Sequence, residues 1–124
     1  MRSKRPCATE AQEQKALFEW ARMQEGRYPA LALLYHIPNG GSRNPIEAHN
    51  LKEQGVRAGV PDICLPVPSL HHTALYIELK RRNGGRVSDA QRGWIAALNR
   101  VGNRAVVCRG WEEARDIILD YLKG

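Results

Sequence analysis

No run of more than six apolar residues occurs in this chain, and the longest is Ala30 to Tyr35. A helix crossing a bilayer needs about 20 such residues, so no membrane contact of that kind is expected. Arg2, Lys4 and Arg5 are not followed by an apolar stretch, which speaks against an ordinary secretory leader. Cysteine is scarce: Cys7, Cys64 and Cys108 are odd in number and widely spaced. That pattern fits neither a disulfide framework nor paired zinc ligands. Reduced cysteines in an intracellular, cytoplasmic protein are the expectation, with Cys64 and Cys108 as small core residues. Internal repeats and low-complexity segments are also lacking. What remains is one domain over 1–124, with residues 1–8 expected to form a flexible basic N-terminus. At 43% hydrophobic and 26% charged, its composition is that of an ordinary globular chain.

The net charge of +6 is unevenly placed. Residues 1–77 and 110–124 nearly balance. Between 78 and 109, Lys80, Arg81, Arg82, Arg86, Arg92, Arg100, Arg104 and Arg109 face only Glu78 and Asp89. Arginine dominates that set, and guanidinium grips phosphate bidentately. A concentrated basic stretch is the electrostatic footprint of nucleic-acid binding, although a solvated surface gives the same composition.

Thr9 with Gln12 has capping-box spacing and predicts a helix over 10–24, ended by Gly26 and Pro29. Residues 31–37 read as a short buried strand. Pro38-Asn39-Gly40-Gly41 breaks the chain, and Asn44-Pro45 starts a second helix running to Gln54. A strand is expected over 61–67, shortened by its prolines, then a turn at 68–72 in which His71 and His72 are surface residues. Residues 74–80 alternate as a strand, with Leu75, Ile77 and Leu79 on one face and Tyr76, Glu78 and Lys80 on the other. Ser88 with Gln91 is a second capping box, opening a helix that stops at Gly102. A strand over 105–108 and an amphipathic helix over 111–122 complete the order α-β-α-β-β-α-β-α. This is an α/β fold with a mixed β-sheet flanked by helices.

The chemistry lies in two short pieces, Val60-Pro61-Asp62 and Ile77-Glu78-Leu79-Lys80. The strand period puts Glu78 and Lys80 on one face, roughly 6.6 Å apart along the chain. They are embedded among apolar residues, where charge is costly unless paired or bound to metal. Asp62 opens the neighbouring strand and is placed to meet Glu78 across the pair. Two adjacent carboxylates both stay ionised most readily around a divalent cation, and hard oxygen ligands suit Mg²⁺ or Mn²⁺. The plain alternative is a cross-strand acid–lysine pair on a solvent face.

Pro61-Asp62, followed 16 residues after the aspartate by Glu78-Leu79-Lys80, resembles the PD-(D/E)XK nuclease superfamily. The flanking Gly55-Val56-Arg57-Ala58-Gly59, Tyr76-Ile77 and Gly85-Arg86-Val87-Ser88-Asp89-Ala90-Gln91 narrow the likeness to the VRR-NUC family in its small freestanding form. It covers about 10–121. The resemblance implies a restriction-endonuclease-like core and a metal-dependent DNA nuclease acting on branched or flapped DNA. Its metal would be Mg²⁺ or Mn²⁺, held by Asp62, Glu78 and the backbone carbonyl of Leu79, with Lys80 in the active site. It further implies a first-helix glutamate. Glu10, four residues before Gln14, matches best, while Glu13 and Glu19 compete and helix-dipole stabilisation alone also accounts for an acid at Glu10. Gln91 matches a family glutamine near the site or DNA, although the capping box with Ser88 explains it equally well.

Arg57, Arg81, Arg82 and Arg86 border this site on loops and are the candidates for gripping the DNA backbone, with Asn39 and Arg43 approaching from the segment after His36. A domain this small has little surface with which to span a junction, so a homodimer is expected. Small family members are often phage-encoded, which would place the protein in the host cytoplasm. The alternative is a catalytically silent DNA-binding module on the same fold, although the complete set of Asp62, Glu78 and Lys80 argues against it.

Overall fold

The computed structural model describes residues 7–38 and 44–124. Asn39, Arg43 and most of the N-terminal segment therefore lie outside the described residues. The first helix, α1 (Glu10–Gln24), opens on a complete capping box: Thr9 Oγ1 accepts from the Gln12 N–H, and Gln12 Oε1 accepts from the Thr9 N–H. The expected strand over 31–37 is instead a 3₁₀ helix, Pro29–Leu33, followed by only two strand residues, β1 (Tyr35–His36). Pro29 sits at the start of that turn, where its fixed φ favours helix and its missing N–H costs nothing. The threefold repeat carries Leu31 and Leu34 into the core together and leaves Leu33 exposed.

Asn44 caps α2 (Pro45–Glu53) by accepting from the Ile46 and Glu47 N–H groups, and Gly55 ends it with φ +102°. The second strand, β2 (Ile63–Leu65), is shorter than the expected 61–67 because Pro61 and Pro66 have no N–H for the ladder. β3 (Leu75–Lys80) is central. α3 (Asp89–Arg100) opens on the second capping box, β4 spans Arg104–Arg109, and α4 (Trp111–Lys123) closes the chain. The sheet order is β1-β2-β3-β4, antiparallel except for the parallel β3–β4 pair.

On β3, Leu75, Ile77 and Leu79 meet Leu17 and Ala21 of α1 and Ala114, Ile118 and Tyr121 of α4, which form the main core. The other sheet face is covered by α3, tied to β4 through Asn99, which accepts from the Ala105 N–H and donates to its carbonyl. Glu78 and Lys80 point to this second face, at the end of β3 that β2 does not reach.

The loop from α2 to β2 is seated by Gly59. Its φ is +91°, and a Cβ added there would lie 2.6 Å from the carbonyl carbon of Ala90 in α3. Both strain and overlap therefore oppose any side chain. Gly59→Ala should destabilise the protein by about 3 kcal/mol in urea unfolding and pull the loop preceding Asp62 off α3. A wild-type midpoint would show that this contact does not hold the loop.

Candidate active site

The register of β2 on β3 pairs Ile63 with Ile77, so the next step brings Asp62 beside Glu78. Asp62 is fixed from both sides. Its carbonyl accepts from the Ile37 N–H at 2.6 Å and lies 2.9 Å from His36 Nδ1, while its Oδ2 accepts from the Leu79 N–H at 2.9 Å. In a strand, the N–H and C=O of one residue point to the same edge, so the Leu79 carbonyl also faces the β2 side. The residue opposite would be Pro61, which has no N–H to give it.

Glu78 is 1% exposed. Its Oε2 accepts from Gln91 Nε2 at 3.2 Å and lies 3.7 Å from Lys80 Nζ. Its Oε1 is buried with no hydrogen-bond partner. Burial, then the adjoining Asp62 carboxyl, push the Glu78 carboxyl up to about 8. Glu10 adds to the rise, and Lys80 opposes it.

Of the three first-helix glutamates, Glu10 is the one that faces the pair. Its Oε2 and the Cβ of Lys80 both flank Gly85, within 3.7 Å of where a Cβ would stand. Glu13 is buried and committed elsewhere: Oε1 accepts from the Trp111 N–H, and Oε2 lies 3.3 Å from Arg82 Nε. This supplies the acceptor that Gly110, the N-cap of α4, cannot offer. Glu19 is exposed along α1. Among the described residues, no three His, Cys, Asp or Glu side chains converge as a ready-made metal cage, so Glu10 stands at the margin of the pair.

Gln91 caps α3 and also reaches Glu78. Its Oε1 accepts from the Ser88 N–H in the capping box, which leaves Nε2 to hold Glu78. Arg82 is clasped by Glu13 and Glu112, while Arg57, Arg81 and Arg86 are exposed and make no ion pair among the described residues. Arg109 donates to the carbonyls of Gly84 and Gly85, fixing the loop that carries Arg86.

A buried glutamate beside a half-buried aspartate, with a lysine two residues on at the open end of a mixed sheet, fits a domain of the nuclease type. The chain belongs to the VRR-NUC domain family, whose model matches residues 7–112. A solved VRR_NUC domain protein superposes with a TM-score of 0.83 at 28% identity, covering 96% of this chain and 92% of that one. No curated protein matches the chain. No helix among the described residues is long and apolar enough to cross a membrane.

Proposed function

We propose that this chain is a metal-dependent DNA endonuclease that hydrolyses phosphodiester bonds, selective for branched or flapped DNA and using Mg²⁺ or Mn²⁺. The observation that carries the proposal is the orphaned Oε1 of Glu78, buried beside a second carboxylate. A buried acceptor without a partner is costly, and two adjoining carboxylates repel. A divalent cation relieves both penalties at once, and the donors on hand (Asp62, Glu78 and the Leu79 carbonyl) are the hard oxygens that Mg²⁺ and Mn²⁺ prefer.

Bound there, the ion would supply Lewis acidity toward a phosphate oxygen and an attacking water. Gln91 holds Oε2 of Glu78 and so keeps Oε1 available. The ammonium of Lys80 orients the water and offsets charge growing on the phosphate. Glu10 completes the acidic rim. Arg57, Arg81 and Arg86 grip the flanking backbone, and a homodimer with two-fold symmetry presents two such sites to a branched substrate.

The test is nicking of supercoiled plasmid with Mg²⁺ or Mn²⁺, chelator serving as control. Wild type should nick, and Asp62→Ala should not. A wild type that binds flapped DNA yet never nicks in either metal would sink the proposal. Binding provides a separate check on the basic loop. With Arg82 held by two acids, the double variant Arg81→Ala/Arg86→Ala should flatten the slope of log K against log salt by about 1.8, at about 0.9 per phosphate contact. An unchanged slope would place the DNA elsewhere.

A further inference from the structure

The helix α2 buries none of its residues. Instead it stands off the body as one wall of a cleft of about 750 Å³ whose other wall is α3. The lining is mixed in a particular way. Leu51, Val56 and the half-buried Trp94 give it an apolar and aromatic side, while Lys52 and Arg57 are exposed cations with no ion pair among the described residues. Gln91 lines the cleft and also donates to Glu78, so the cleft opens directly beside the carboxylate pair. Trp94 borders a second, smaller cleft of about 420 Å³ as well, which places its indole between two open spaces.

Resting on the nuclease reading above, we infer that this cleft binds an unpaired nucleotide of the strand being cut, with its base stacked on Trp94 and its phosphate held by Lys52 and Arg57. An indole beside two free cations matches the two halves of a nucleotide, a π-face and a charge, as in other single-strand grooves. The volume lies in the range of small-ligand sites and is ample for one nucleotide. Continuity through Gln91 means that a base lodged here leaves its chain running past Glu78. Duplex DNA keeps its bases stacked inside, so only an overhang, flap or branch point supplies this occupant. The cleft thereby selects DNA structure beside the site of hydrolysis.

The experiment compares affinity for a blunt duplex and for the same duplex with a single-stranded tail, by fluorescence anisotropy in chelator, where no cutting occurs. Wild type should favour the tailed duplex by about tenfold, the scale of one stacked base. Trp94→Ala should lose most of that preference, Trp94→Phe should keep it in part, and Lys52→Glu, on the exposed helix, should weaken it. A 2-aminopurine as first unpaired nucleotide should be quenched on binding to wild type, a readout that needs no variant to fold. Equal affinity for both DNAs, or a preference and quench untouched by Trp94→Ala, would overturn the inference. So would variants that change only the oligomeric state, which would make the cleft an interface between copies. Plasmid nicking without tail preference rejects the cleft alone, while tail preference without nicking upholds the cleft and rejects the nuclease.

Discussion

In chelator, Glu78→Gln should be more stable than wild type at pH 8, by on the order of 3 kcal/mol, and the gap should vanish toward pH 4. Burial and the Asp62 carboxyl raise the Glu78 carboxyl from 4.5 to about 8. The folded state therefore holds that proton more tightly than the unfolded chain does. The stabilising contribution is whole below about pH 4.5, shrinks as the unfolded carboxyl ionises, and is lost above about pH 8. Glutamine does not titrate and keeps the shape, so the wild-type curve should fall away from the mutant curve through that window. Other carboxylates affect both proteins alike and drop out of the difference. Added Mn²⁺ should reverse the order, stabilising wild type by mass action while leaving the mutant almost unmoved. Thermal melts across pH, with and without metal, read both effects. A gap independent of pH would mean that Glu78 is not held against Asp62 in a dry setting, and unchanged Mn²⁺ affinity in the mutant would remove it from the ligands.

Legibility of the fold followed from how local each signal was. Thr9 with Gln12 and Ser88 with Gln91 mark helix starts because the bonds join residues three apart, and both boxes are present. The alternation in 75–80 likewise needs no partner to be read. Residues 31–37 misled because Leu and Ala in short alternation suit a buried strand and a 3₁₀ turn equally, and Pro29 decided between them. The long reach of Glu13 to Trp111 could not be seen, since 98 positions separate donor and acceptor. An acid four residues before a buried leucine, on the face that packs inward, was the available hint. Gln91 fits capping and the site at once, because the oxygen and nitrogen of one amide serve different partners. The Trp94 cleft was invisible for a different reason. Trp94 is half-buried on α3, and only the placement of α2 creates a cleft in front of it.

Lys80→Met should cut at about one hundredth of the wild-type rate or less while folding, binding metal and binding DNA. The lysine stem is packed at the end of β3, 6% exposed, with its backbone carbonyl accepting from the Gly110 N–H at 2.9 Å. Methionine fills most of that volume and leaves the strand bond untouched, so overpacking and cavity costs are small. The charge is what disappears. Its neighbour Glu78 loses the one cation that favours its ionised form, which raises its proton affinity and would weaken metal at neutral pH. Removing a cation beside the proposed metal works the other way, by easing charge repulsion, so metal affinity should change little. DNA affinity should also hold, since Arg57, Arg81 and Arg86 carry the backbone contacts in the proposed complex. The rate is different, because a positioned acid–base or electrostatic group commonly accounts for 10²-fold or more. Single-turnover cleavage, Mn²⁺ titration and anisotropy on one preparation separate the three quantities. Cleavage at the wild-type rate would return Lys80 to a strand lysine whose work is to pair with Glu78. Loss of metal affinity in step with rate would instead make it a positioning residue for Glu78, acting through the carboxylate rather than on the phosphate.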